Sequence, residues 1–337
     1  MRRLSIIAKR VLSKVSGCYT IGANDGQRRE RLAIVVDPAL VIAEYEAQVR
    51  PGYWRSTPKE ITQYLRVQLD RLKLGDNGKT VGSWRPLDFD SGVFGLSMGR
   101  IDWFAAINLQ DVERGRLLQR LLADTDDEKI EQLSLRLSAC DVQGIQLAES
   151  AGFRMVTVFT GLVYAGDSVV STRPEVTIRS ANLDDLDALR SITDESFTDG
   201  TRFHLDDGLA SNAQELHRQW IKNCVNGQLA DRVIVAEKDG HLVGYITGQA
   251  DSTAAKFMGQ ARGAIGLFAV RPMARGRGVG ASLLAAIINY FSDKCIKRIE
   301  VGTESTNSAA INVYIRAGFK IVQSNVTLHR WQTRQKK

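Results

Sequence analysis

Apolar and polar positions fall into a regular succession of strands and helices through the second half of the chain. Val176-Thr177-Ile178-Arg179 reads as a short strand, and Asn182 as the cap of a helix opening Leu183-Asp184-Asp185-Leu186, whose acidic first turn suits the helix dipole. Residues 211–225 carry Leu216, Trp220 and Cys224 at four-residue spacing, a helical stripe. The runs Val233-Ile234-Val235-Ala236-Glu237 and Leu242-Val243-Gly244-Tyr245-Ile246 flank Asp239-Gly240, which predicts a hairpin. A strand over 264–270, a glycine-rich turn, a helix to about residue 293, a strand at 299–303 and a helix from Asn307 to Arg316 follow, the last stopped by Gly318. Phe319-Lys320-Ile321-Val322 and Val326-Thr327-Leu328 read as a closing pair of strands.

The first half echoes this order. Ala151-Gly152-Phe153 returns as Ala317-Gly318-Phe319, and at the same offset of 166 residues Ile145 meets Ile311, Val156 meets Val322, Leu162 meets Leu328 and Asp141 meets Asn307. The strand-like Leu133-Ser134-Leu135-Arg136-Leu137 falls on residues 299–303. Two copies of one supersecondary unit explain the match. They differ where chemistry would sit: Leu109, Val112 and Arg114 stand in place of Arg275, Gly278 and Gly280, and Ala148 in place of Tyr314. The junction falls near Gly166–Pro174, which divides the chain into an extension over 1–80, a degenerate unit over 81–167 and a complete unit over 175–332. In the extension, 59–73 reads as a helix and Gly75-Asp76-Asn77-Gly78 as a turn; no function is assigned to it.

A length of 337 residues, with 44% apolar and 25% charged positions, fits a globular protein of two domains. The net charge of +7 favours anionic ligands, while no basic stretch interleaved with aromatics marks a nucleic-acid surface. Cys18, Cys140, Cys224 and Cys295 are scattered, as are the four histidines, so zinc is not expected and the thiols read as reduced and mostly buried in a cytoplasmic protein. No apolar run is long enough to span a bilayer. The basic, amphipathic residues 1–15 lack a signal-peptide core and read as a helix packed on the protein or a frayed end, with a surface helix on anionic lipid as the alternative.

Candidate chemistry centres on Arg275-Gly276-Arg277-Gly278-Val279-Gly280, between an apolar strand and an apolar helix. Such a turn offers backbone N–H groups and the positive end of a helix dipole to an anion, and arginines add donors suited to phosphate. A tight turn with exposed arginines is the plainer reading.

That loop, the strand ending Leu267-Phe268-Ala269-Val270 and the stretch Asn307 to Phe319, with Tyr314 four residues before Gly318, together resemble the GNAT superfamily of acyl-CoA-dependent N-acyltransferases over about 175–331. The resemblance implies an α/β fold with a mixed sheet, here in tandem: a degenerate N-terminal GNAT-like half before a complete C-terminal domain. It implies acetyl-CoA or another short acyl-CoA as co-substrate and no metal. Its cofactor side would be Leu267, Phe268, Ala269, Val270, Arg275, Gly276, Arg277, Gly278, Val279, Gly280, Ala281, Asn307 and Tyr314. Within that set, pantetheine would run along the strand, with the Val270 amide on the thioester oxyanion and Tyr314 as general acid to the sulfur. A buried strand, a packing tyrosine and a helix cap at Asn307 are the structural alternatives. Glu195, His204 and Glu304 are candidates for the acceptor side and its base.

A patchier likeness, to the bacterial TDP-fucosamine acetyltransferases, rests on residues 220–227 from Trp220, on Arg202-Phe203 after Phe197, and on Asp90-Ser91-Gly92-Val93-Phe94-Gly95. It implies a small-molecule amine acceptor, such as a nucleotide-linked amino-deoxysugar; with the composition expecting no nucleic acid and no integral membrane segment, a homodimer stays open. Acylation of a protein or polyamine is the rival within the fold, and a non-catalytic acyl-CoA-binding module the rival outside it.

Overall fold

The computed structural model describes residues 37–49, 61–63, 65, 72–109, 112–164, 166, 176–251, 253, 254, 256 and 261–332. The amphipathic residues 1–15, Cys18 and most of the junction at 166–174 lie outside the described residues. So does most of the helix expected at 59–73, of which 61–63 and 65 are helical. That helix ends before Lys73, which opens strand β1 (Lys73–Leu74). No helix among the described residues is long and apolar enough to cross a membrane.

In chain order the elements are α1 (Pro38–Val49), β1, β2 (Thr80–Pro86), α2 (Asp88–Phe94), β3 (Met98–Ala106), α3 (Glu113–Asp127), β4 (Gln132–Ser138), α4 (Val142–Ser150) and β5 (Arg154–Tyr164). The second half gives β6 (Thr177–Ser180), α5 (Leu186–Ser196), α6 (Ala213–Val225), β7 (Arg232–Lys238), β8 (His241–Asp251), β9 (Arg262–Val270), α7 (Val279–Asp293), β10 (Arg298–Glu304), α8 (Ser308–Arg316) and β11 (Lys320–Trp331). The expected β7–β8 hairpin forms, and Asp239 and Gly240 both take positive φ in its turn.

The internal repeat is visible element by element. α3 and α7 begin at 113 and 279, β4 and β10 at 132 and 298, α4 and α8 at 142 and 308, and β5 and β11 at 154 and 320, each pair 166 residues apart. Even the left-handed residues recur at that interval, Lys129 with Cys295 and Gly152 with Gly318. Asp141 caps α4 by accepting from the Gly144 amide, as Asn307 caps α8 by accepting from Ala310.

The eleven strands among the described residues form one mixed sheet in the order β1-β2-β3-β4-β11-β5-β10-β9-β8-β7-β6. The two closing strands are exchanged: β11 pairs antiparallel with β4 of the first half, and β5 pairs antiparallel with β10 of the second. They also pair with each other, so the sheet runs unbroken from one copy into the other. The exchange carries core residues across. Leu328 lies fully buried in the first half's core, while Leu162 and Tyr164 lie in the second's.

Two expectations are corrected. The closing pair of strands at 319–322 and 326–328 is a single strand, whose register slips between Ile321 and Gln323 and again between Thr327 and Leu328. The thiols are not mostly buried: Cys224 is buried, but Cys140 and Cys295 are exposed, and all three are free.

Candidate active site

The loop after β9 has the backbone that its glycines predict. Gly276 and Gly278 adopt φ of 74° and 83°, a region that side chains disfavour. Gly278 stands at the start of α7 with no side chain capping it, so the amides of Val279, Gly280 and Ala281 are left without an intrahelical acceptor. An uncapped helix start beside the exposed Arg275 and Arg277 fits a diphosphate. Arg275 is oriented by its Nε, which donates to the Val270 carbonyl at 3.0 Å.

β9 leads from this cradle into a gap in the sheet. It pairs in parallel with β10 only at Arg262, Gly263 and Ala264, and beyond them the two strands part. A register shift against β8, between Ile246 and Gly248, bends β9 at the point of parting. The Leu267 amide donates to Thr247 Oγ1 and the Arg271 amide to the Val243 carbonyl, both toward β8. Strand alternation therefore turns the amides of Phe268 and Val270 into the gap, where no strand among the described residues receives them. Tyr314 on α8 packs against Phe268, ring centroids 5.9 Å apart, and is only 3% exposed. Burial pushes its phenol well above the ordinary tyrosine range. Asn307 caps α8, its Oδ1 accepting from the Ala310 amide at 3.1 Å and its Nδ2 donating to Thr303 Oγ1 at 3.2 Å.

On the other side of β9 a cavity of about 270 Å³ lies between the two halves. Ala264 and Gly266 of β9 and Thr247, Gly248 and Gln249 of β8 form its sheet wall. Leu87, Phe89, Asp90 and Arg100 come from the first half, and Arg202, Phe203, Trp220 and Leu229 from the second. The three sequence patches of the amino-sugar likeness thus meet at one cavity, through Asp90, through Arg202 and Phe203, and through Trp220. Sequence spacing could not assemble them, because the first half reaches this position only through the shared sheet.

The three acceptor-side candidates do not border that cavity. Glu195 is engaged by Arg271 at the end of α5. His204 meets Thr201 Oγ1 through Nδ1 at 2.7 Å, and burial lowers its pKa. Glu304 accepts from the backbone amide of Arg202, a lining residue, at 3.4 Å.

The first half has a corresponding gap, since β3 and β4 pair only from Met98 to Ile101. Its own side chains fill it. Arg114, at the position of Gly280, is completely buried and forms a two-pronged ion pair with the equally buried Asp141, at 2.9 and 2.6 Å. It also donates to the Phe104 carbonyl on the parted edge of β3, and Tyr45 of α1 donates to Asp141. The loop before α3 spans residues 107–112, against 271–278 before α7, so two residues of the cradle are missing as well as its glycines.

Residues 186–319 match the acetyltransferase (GNAT) family, and this part of the chain is a GNAT acetyltransferase domain. Among curated proteins, the chain is 29% identical over 154 residues to the spore coat polysaccharide biosynthesis protein SpsD of Bacillus subtilis, covering 45% of this chain and 50% of that protein. It is 24% identical over 201 residues to the dTDP-fucosamine acetyltransferase of Escherichia coli, covering 59% of this chain and 81% of that one. The chain thus spans half the length of the first of these relatives. Among solved structures, a GCN5-related N-acetyltransferase from Sphaerobacter thermophilus superposes with a TM-score of 0.60 at 17% identity, over 87% of this chain and 91% of that one. That likeness extends the fold through both halves.

Proposed function

We propose that the chain is an acyl-CoA-dependent N-acyltransferase, with acetyl-CoA as donor and a primary amine on a small molecule as acceptor. The observation that carries this reading is the continuity of three features: the uncapped start of α7, the unpaired amide edge of β9 and the buried Tyr314. The pyrophosphate would lie on the amides of Val279, Gly280 and Ala281 with Arg275 and Arg277 beside it. Pantetheine would follow β9 into the gap, where the amides of Phe268 and Val270 can hold the thioester oxygen as it gains charge. Tyr314 keeps its proton and can deliver it to the departing sulfur. The catalytic unit is then 175–332, and 81–167 is a degenerate copy that walls the acceptor cavity and whose own gap is closed by Arg114 and Asp141.

The acceptor is an amino-deoxysugar linked to a nucleotide. Two supports favour it over a polyamine or a protein. Arg202, Phe203, Trp220 and Asp90 converge on one cavity, and a relative 24% identical over 201 residues is named for dTDP-fucosamine. The test is acetyl-CoA-dependent CoA release with dTDP-fucosamine, spermidine and a lysine peptide in parallel. Faster release with dTDP-fucosamine alone supports the reading. Release driven by spermidine or the peptide moves the acceptor to that class. Tight acetyl-CoA binding with no amine-driven release makes the chain a binding module.

A further inference from the structure

The amine of an acceptor reaches the site as an ammonium ion and must lose a proton before it can attack. Glu195, His204 and Glu304 are each engaged elsewhere and none borders the cavity. Among its lining residues one carboxylate does: Asp90, on α2 of the first half. Its side chain is 15% exposed, with one oxygen 3.9 Å from the Arg202 guanidinium, too far for a hydrogen bond. The other cation on the cavity wall, Arg100, donates to Asp102 at 2.7 Å, and the Arg202 backbone amide reaches Glu304. Gly266, which has no side chain, forms the facing wall on the strand that leads to the gap.

Resting on the acyltransferase reading above, we propose that Asp90 is the carboxylate that receives the acceptor's ammonium group and takes its proton, so that the degenerate half supplies a catalytic residue to the complete one. Burial raises the Asp90 carboxyl above its ordinary range, with Arg202 and Arg100 pulling it partly back, and a more basic carboxylate accepts a proton more readily. The protons balance as follows. The ammonium gives one proton to Asp90, which passes it to water. Its nitrogen forms the C–N bond, the C–S bond breaks, and the sulfur takes the Tyr314 proton. The second proton leaving nitrogen restores the tyrosine, and the amide keeps the third.

The test compares the full chain with D90N and Asp90→Glu, using acetyl-CoA with dTDP-fucosamine and, separately, with ethanolamine, which is small enough for any amine-accepting cavity. Acetyl-CoA binding is measured independently by calorimetry. D90N is expected to lower kcat/KM for the amine by about 100-fold, a usual contribution of a general base. It should also replace the acid-side fall set by the Asp90 carboxyl with one set at higher pH by the amine's own ionisation, and leave acetyl-CoA affinity unchanged, while Asp90→Glu recovers part of the rate. D90N with the parent's amine kinetics and pH profile overturns the proposal. So does D90N that loses acetyl-CoA binding in step with turnover, since Asp90 would then only offset Arg202. A parent chain that fails to bind acetyl-CoA overturns the acyltransferase reading itself, and one that binds it but acetylates neither amine overturns both.

Discussion

At Tyr314, burial and chemistry pull in one direction. A phenol whose pKa is raised stays protonated through the alkaline range, so in the proposed mechanism the proton offered to sulfur is not lost as pH rises. Tyr314→Phe is expected to lower kcat by about 100-fold while leaving acetyl-CoA affinity within a few-fold, as single-turnover rates and calorimetry would report. A second residue links pH to stability. His217 is 3% exposed, stacked on Phe197 at 4.7 Å, with Nδ1–H donating to the Ala213 carbonyl. Burial lowers its pKa from 6.5 to about 4. Between those values the unfolded chain binds a proton that the folded one refuses. Stability is therefore complete above pH 6.5 and falls by about 3 kcal/mol as pH drops through 4. Urea titrations at pH 7 and pH 4 on the parent and His217→Gln would read this, and the variant should lose that part of the dependence.

At the scale of elements, the cradle depends on positive φ at two glycines. Gly278→Val forces a β-branched residue into the left-handed region at a cost of about 1–2 kcal/mol and pulls the start of α7 out of line. Acetyl-CoA affinity is expected to fall tenfold or more in calorimetry, with the melting temperature only slightly lowered. Gly280→Arg, which copies Arg114 into the second gap, is expected to abolish acetyl-CoA binding and leave no residual site. The backbone of this loop and its place between β9 and α7 were legible because glycine spacing and hydrophobic period are local signals. β11 was not. Gln323-Ser324-Asn325 reads as a turn, yet Asn325 is 2% exposed in mid-strand because the backbone there is bonded to β4 on one side and β5 on the other. Asp90 was legible only as part of a likeness, since its meeting with Arg202 and Trp220 depends on how two halves far apart in sequence lie on one sheet.

On the scale of the whole molecule, exchange of β5 and β11 makes each half incomplete alone. Leu328 closes the first half's core from the far end of the second. Leu328→Ala should cost about 2–5 kcal/mol, and the loss should fall on both halves together. Differential scanning calorimetry of parent and variant is expected to give one cooperative transition each, the variant's at lower temperature. Two separated transitions would mean that the halves are independent after all.

The exchanged strand also sets a delay during synthesis. Arg136 on β4 bonds to Thr327 on β11, a residue 191 positions later. At ribosomal rates of 5–20 residues per second, β4 is extruded about 10 to 40 s before the strand that covers it. Through that interval its edge is open on the nascent chain, a template for pairing with any other strand. Gln132-Leu133-Ser134-Leu135-Arg136-Leu137-Ser138 alternates polar with apolar residues and places a charge near its middle. The arginine that later bonds to β11 can thus also guard the vacant edge until β11 is made.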